Sequence, residues 1–250
     1  MVAYSYPSRF IAHRGGGILA PENTLAGLRE ARARGFAAVE FDVMLARDDA
    51  PVLMHDDTLD RTTDGNGPVP EMSAEDLARL DAGTWKDARF AGEPVPGLAD
   101  AARLCLNLGL YANVEIKPWA PGGAAVAATT GRVVAHWCEK LWRDAPERVL
   151  LSSFSLPALD AAREAEPSLA RACLFDAVPA HWLSEVRRLA CVAVHCNADK
   201  LDPATTRAIK AAGYGIMCWT VNRPAQAHVL FGLGVDAVCT DRLDLFAGVQ

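Results

Sequence analysis

Residues 37–43 read Ala-Ala-Val-Glu-Phe-Asp-Val, an apolar, strand-like run that ends in two acids one residue apart. Side chains alternate along a strand, so Glu40 and Asp42 share a face. Two other runs finish the same way. Ile11-Ala12-His13-Arg14-Gly15 and Glu115-Ile116-Lys117 each close an apolar stretch with groups that cannot be buried unpaired. Laid side by side in parallel, the three strand ends would put three carboxylates, a lysine, an arginine and a histidine around one spot.

Working outward, strand-like runs fall at residues 9–13, 37–43, 111–116, 149–154, 170–175, 191–195, 215–221 and 236–240. Helical patterns lie between them at 24–34, 98–108, 124–142, 156–164, 181–189, 203–212 and 224–233. Asn23 or Thr24 can cap the first helix, and Asp202 before Pro203 caps the sixth. Strand–helix repetition with parallel crossovers gives either an open doubly wound sheet or a closed barrel. Eight repeats in 250 residues match a (β/α)8 TIM barrel of the α/β class. The polar groups sit at the C-terminal ends of several strands, where barrel sites lie. An open sheet would gather them at a switch point, and His13-Arg14-Gly15-Gly16-Gly17 lacks the spacing of a dinucleotide turn. The expectation is one barrel domain over 1–250.

One segment breaks the rhythm. Residues 51–55 form a short extra strand, and 56–96 precede the next helical pattern with a turn-rich stretch and a short helix candidate at 73–80. This reads as a small inserted subdomain after strand two, serving either as a lid over the barrel mouth or as a passive excursion.

Composition bounds the function. Net charge is −6, and no Lys/Arg run is dense enough for a nucleic-acid surface. No uncharged apolar stretch reaches the roughly 18 residues of a membrane span, and the N-terminal residues lack a signal-peptide core. The seven cysteines are scattered without a CxxC pair, which reads as buried thiols in a reducing, cytoplasmic compartment. No stable membrane insertion is expected, and a homodimer is admitted as an assembly.

Glu40, Asp42 and Glu115 offer a hard divalent cation, Mg²⁺ or Ca²⁺, the oxygen ligands it prefers. Salt bridges at strand ends are the competing reading for any one of them. Zinc is disfavoured because no Cys/His quartet stands at ligand spacing. His13 and His55 end strands that return to one region, and two imidazoles can divide acid and base roles near neutral pH. Arg14 and Lys117 suit phosphoryl oxygens. Trp219 either walls a substrate pocket or fills the barrel, and Phe154 carries the same two readings, with core packing ahead. Glu22 and Asn23 could brace the site, although capping alone accounts for Asn23.

Taken in order, Ile11-Ala12-His13-Arg14-Gly15, Pro21-Glu22-Asn23-Thr24, Glu40-Phe41-Asp42-Val43, Pro51-Val52-Leu53-Met54-His55-Asp56, Leu59-Asp60-Arg61-Thr62-Thr63-Asp64-Gly65, Glu115-Ile116-Lys117, Trp219-Thr220-Val221-Asn222 and Gly234-Val235-Asp236, with Thr240-Asp241 beyond, resemble the glycerophosphodiester phosphodiesterases, and the short bacterial cytoplasmic members most closely. The resemblance spans nearly the whole chain. It implies a barrel with an insertion after strand two and hydrolysis of glycerophosphodiesters to sn-glycerol 3-phosphate and an alcohol. It also implies His13 and His55 as the acid/base pair, Glu40, Asp42 and Glu115 as ligands of one divalent ion, and Arg14 and Lys117 as phosphate contacts. Ala50 departs from the glycine usual in the family, and Leu45-Ala46-Arg47 replaces a commoner threonine-lysine pair. Two other functions stay open: a lysophospholipase D-type activity using a groove near Met72, Trp85 and Phe90, and a non-catalytic phosphoester-binding barrel.

Overall fold

The computed structural model describes residues 4–246. Its strands are β1 (Phe10–Ala12), β2 (Ala38–Leu45), β3 (Pro51–Leu53), β4 (Tyr111–Ile116), β5 (Val149–Ser153), β6 (Ala170–Phe175), β7 (Ala193–Asn197), β8 (Gly215–Trp219) and β9 (Ala237–Thr240). All but β3 pair in parallel, and β1 meets both β2 and β9, so eight strands close into a TIM barrel. Helices α1 (Leu25–Ala33), α2 (Ala74–Leu77), α3 (Leu98–Leu108), α4 (Gly123–Leu141), α5 (Leu156–Ala165), α6 (Trp182–Arg188), α7 (Pro203–Ala211), α8 (Pro224–Leu233) and α9 (Leu243–Phe246) lie between and after them.

Strand alternation sorts the core into two layers. Ile11, Ala38, Tyr111, Leu150, Ala172, Ala193, Met217, Ala237 and Cys239 pack together inside the barrel. Phe41, Val114, Leu151, Val194 and Ile216, one residue out of phase, pack with the helices outside. Glu40 and Asp42 flank Phe41 and therefore turn inward with Ala38. The register then sets Glu40 opposite Asn113, and Asp42 opposite Glu115. Where α4 crosses α5, Gly131 lies against the Ala158 backbone; a Cβ there would come within 2.0 Å of the Ala158 carbonyl oxygen.

The N-terminal end of the barrel is sealed. The Tyr4 and Tyr111 hydroxyls hydrogen-bond each other, and the Tyr6 hydroxyl meets His195 Nε2 at 2.9 Å. Arg171 is only 2 % exposed and donates to the carbonyls of Glu166, Pro167, Leu169, Leu189 and Ala190, tying the loops before β6 and β7 together.

At the other end, β2 outruns its neighbours. Val43, Met44 and Leu45 pair antiparallel with Leu53, Val52 and Pro51, folding β3 back over the rim and delivering His55 to it. The turn between them needs no glycine at Ala50, because Asp49 adopts the left-handed conformation (φ 59) while Ala46 N–H bonds the Ala50 carbonyl at 2.9 Å. The segment after β3 packs Met54, Leu59, Val69, Leu77, Ala82 and Val95 onto Met44, Ala46 and Val52. Its only α-helix is the four-residue α2, shorter than the expected 73–80; Ser73 caps it by accepting from Asp76 N–H at 3.2 Å. The strand expected at 191–195 begins two residues later, because Cys191 N–H is still bonded to the Val186 carbonyl of α6.

Candidate active site

His13, Arg14, Glu40, Asp42, His55, Glu115, Lys117 and Trp219, the eight residues singled out from the sequence, line one pocket of about 130 Å³ at the C-terminal mouth. One carboxylate oxygen from each of Glu40, Asp42 and Glu115 lies within 4.8 Å of the others. These acids are buried without enough positive charge nearby. Lys117 Nζ reaches Asp42 at 3.6 Å and Glu115 at 3.8 Å, while Arg14 Nε is 3.7 Å from Asp42. Burial works against ionised Asp42, but Lys117, His55, Arg14 and Asn23 outweigh it and hold its carboxyl below the usual range. Burial together with Asp42 pushes Glu40 up to about 7 and Glu115 well above the ordinary glutamate value. Three inward oxygen donors starved of countercharge fit a hard divalent cation, and all three must shed their protons to hold one.

Each histidine is held by a carboxylate through Nδ1. His13 Nδ1 is 2.6 Å from Asp241 Oδ1, and His55 Nδ1 is 2.6 Å from Asp56 Oδ1. Pinning Nδ1 leaves Nε2 for the pocket, and His13 Nε2 lies 3.9 Å from Glu40. Burial pulls the His13 pKa down, yet the Asp241 hydrogen bond and Glu40 overcome it and the net shift is upward. Burial, Lys117 and Arg14 shift His55 downward despite Asp42.

Of the residues that steady this pocket, Glu22 and Asn23 were legible as braces, while Asn222 and Arg61 stood in motifs without a role. Asn222 donates Nδ2 to Asp241 at 3.0 Å and accepts the Asp241 N–H at 2.8 Å. Asn23 treats Asp42 alike, donating at 2.9 Å and accepting its N–H at 3.0 Å. Asn23 is thus a brace and not the helix cap; Thr24 caps α1, accepting from Gly27 N–H at 3.1 Å. Glu22 accepts from Arg14 at 2.7 Å and from Arg61, which also bonds Asp56 at 2.6 Å. That chain links the β1–α1 loop to the segment carrying His55. The same loop is strained, with Arg14 (φ 49) and Asn23 (φ 56) both left-handed. Gly17 allows Asp241 in: its Cβ would lie 2.2 Å from the Asp241 carbonyl oxygen.

Phe154 corrects another expectation. It lies one residue past the end of β5, is 46 % exposed, and stacks edge-on against Trp219 with ring centroids 5.4 Å apart, so both line the mouth. The remaining wall includes buried Asn113, whose Oδ1 has no protein partner. Met72 and Phe90 line neither the pocket nor the groove beside it; Trp85 faces a separate rim groove with His13 and Asp241. All seven cysteines are buried and free, and no helix among the described residues is long and apolar enough to cross a membrane.

A barrel whose C-terminal mouth gathers acids, pinned imidazoles and cations around a small pocket has the layout of a TIM-barrel enzyme active site. Residues 13–245 match the glycerophosphoryl diester phosphodiesterase family, and the chain belongs to that family. It is 29% identical over 231 residues to a glycerophosphodiester phosphodiesterase of Caldanaerobacter subterraneus subsp. tengcongensis, covering 92% of this chain and 93% of the relative. A Bacillus subtilis glycerophosphodiester phosphodiesterase is 28% identical over 255 residues, covering 96% and 85%. Among solved structures, a phosphodiesterase of Oleispira antarctica in complex with the product sn-glycerol 3-phosphate superposes with a TM-score of 0.88 at 36% identity, over 94% of this chain and 93% of that one. The enzyme is a phosphoric diester hydrolase.

Proposed function

We propose that this protein hydrolyses glycerophosphodiesters to sn-glycerol 3-phosphate and a free alcohol, with His13 and His55 exchanging the protons and Glu40, Asp42 and Glu115 holding one divalent cation, Mg²⁺ or Ca²⁺. The observation that carries this reading is the shared pocket: two imidazoles, each pinned by its own aspartate, enter it beside three clustered carboxylates.

A divalent cation bound to the three carboxylates would offset the negative charge that develops on the phosphoryl oxygens. Lys117 and Arg14 flank the same position and orient the diester. An oxygen nucleophile, water or the neighbouring glycerol hydroxyl, forms a bond to phosphorus as the bond to the leaving alkoxide breaks. The nucleophile gives up one proton and the alkoxide takes one, so an acceptor and a donor are both required. His55, held below its ordinary pKa, is the acceptor; His13, held above it, is the donor. Asp241 and Asp56 fix ring orientation and stabilise the cationic forms, as carboxylates do behind catalytic imidazoles. If the glycerol hydroxyl attacks, a cyclic phosphate forms first, and water then opens it.

The test compares leaving groups. With glycerophosphocholine, His13→Ala and His55→Ala should both lose activity. With a nitrophenyl ester, whose leaving group needs no proton, His13→Ala should recover most of its rate while His55→Ala does not. The opposite pattern would reverse the two roles, and near-normal turnover of glycerophosphocholine by either variant would overturn the acid/base assignment. Phosphorus NMR during turnover reveals a cyclic product if the glycerol hydroxyl attacks.

A further inference from the structure

We infer that the groove running outward from the reaction pocket between the β4–α4 and β5–α5 connections receives the leaving alcohol and selects an uncharged, apolar one. This rests on the catalytic reading above and adds the substrate class.

The groove has a volume of about 470 Å³, against about 130 Å³ for the reaction pocket. It adjoins that pocket, and Glu115, Lys117 and Phe154 line both. A diester with its phosphorus beside Lys117 therefore has open space for one arm. Pro118, Trp119, Ala124, Ala127, Phe154 and Pro157 supply walls that are almost wholly carbon. The charged groups of the lining, Glu115 and Lys117, stand together at the inner end, 3.8 Å apart. Beyond them no lining side chain carries a charge. An ammonium or trimethylammonium group lying there would have no carboxylate of its own and would approach the Lys117 ammonium, leaving only the Trp119 and Phe154 rings to attract it. An alkyl arm would bury carbon against carbon at no such cost.

The surroundings differ on the far side of β2. There the rim groove is lined by His13, Arg14, Glu22, Lys86 and Asp241, with Ile18 and Trp85 among them. An apolar arm placed there would desolvate charged groups without pairing them. The inserted segment gives Trp85 and Lys86 to this charged groove, whose other walls are the β1–α1 loop and Asp241, and the apolar groove belongs to the β4–α4 and β5–α5 connections.

The experiment measures kcat/KM for sn-glycerol 3-phosphate diesters of ethanol, butanol, hexanol and choline, using the full chain with Mg²⁺ or Ca²⁺ supplied. The expected result is a gain of about two- to fourfold per methylene along the alkyl series, with the hexyl ester at least about tenfold better than the choline ester. Trp119→Ala should flatten the alkyl series through KM, leaving kcat for the ethyl ester nearly unchanged. Trp119 also touches the packing of the inserted segment, so a second variant is needed. Ala124 is exposed in the first turn of α4, where an acid is compatible with the helix. Ala124→Glu should lower the hexyl ester and raise the choline ester, reversing their order. Equal or better turnover of the choline ester by the unmodified protein, or an order unmoved by both variants, would overturn the assignment of the groove. Turnover of no diester at all would overturn the catalytic reading and the assignment with it.

Discussion

The two ends of the barrel bury polar groups in opposite ways. At the N-terminal end the buried cation and all but one of the polar atoms around it are answered from within the protein, the exception being His195 Nδ1. Arg171 has no carboxylate partner among the described residues, yet its guanidinium is spread over five backbone carbonyls. His195 is fully buried and neutral, with Tyr6 on Nε2. At the C-terminal end Glu40, Asp42 and Glu115 crowd together, and Lys117, Arg14 and the two imidazoles offset them only in part. One end has closed its electrostatic accounts, and the other is left to be completed by ligand. Substitutions at the first should therefore change stability, and substitutions at the second activity.

Removing the divalent cation should break the contrast most severely. Treatment with EDTA is expected to lower turnover on the order of a thousandfold, with recovery on adding Mg²⁺ or Ca²⁺. Stability should follow with a definite sign. Glu40 has its folded pKa raised from 4.5 to about 7, so in the metal-free protein its contribution is present below pH 4.5 and is lost as pH rises through 7. Added cation should then raise the melting temperature more at pH 8 than at pH 5. A cation effect larger at pH 5 would contradict the assigned ligands.

Next in size are the imidazoles. His13→Ala and His55→Ala should each cut kcat for glycerophosphocholine by about 10²–10⁴ while leaving the melting temperature nearly unchanged. Arg171→Met sharpens the comparison from the other end. It strands several carbonyls and should cost about 2–4 kcal/mol of stability, read by denaturant unfolding, with kcat/KM at low temperature unaltered. Asp241→Asn removes the charge behind His13 and turns one of two acceptor oxygens, which serve His13 and Asn222, into a donor; it is expected to lower kcat by about 10–100-fold, with the fold intact.

The last effect is a pH slope that leaves activity near neutral pH untouched. Burial depresses the His195 pKa from 6.5 to about 3. A depressed folded pKa gives stability that is present above pH 6.5 and is lost as pH falls toward 3, by up to about 1.4 kcal/mol per pH unit. His195→Gln should flatten the acid side of the stability curve without shifting the pH profile of activity.

The path from sequence to site was uneven. Glu40, Asp42, Glu115 and Lys117 were legible because strand alternation fixes which residues share a face, and that rule is local. The barrel was legible because eight strand–helix repeats leave few alternatives. Asp241 and Asp56 stood in quoted motifs without a role, since nothing in the chain says that residue 241 meets residue 13. Asn23 admits two readings, a brace for the site or a helix cap, and the bond pair to Asp42 decides for the brace. Phe154 read as core because it extends an apolar run; β5 stops one residue sooner and leaves the ring at the mouth.

Residue order alone therefore established the repeating architecture, the inward-facing acids and the membership of His13 and His55 in one rim, because periodicity and strand polarity are properties of short stretches. Barrel closure decided the rest: which aspartate holds which imidazole, how far Lys117 can offset three carboxylates, and where an apolar groove opens. Those outcomes depend on ångström-scale distances between residues far apart in the chain, and electrostatics and packing respond to distance, not to sequence separation.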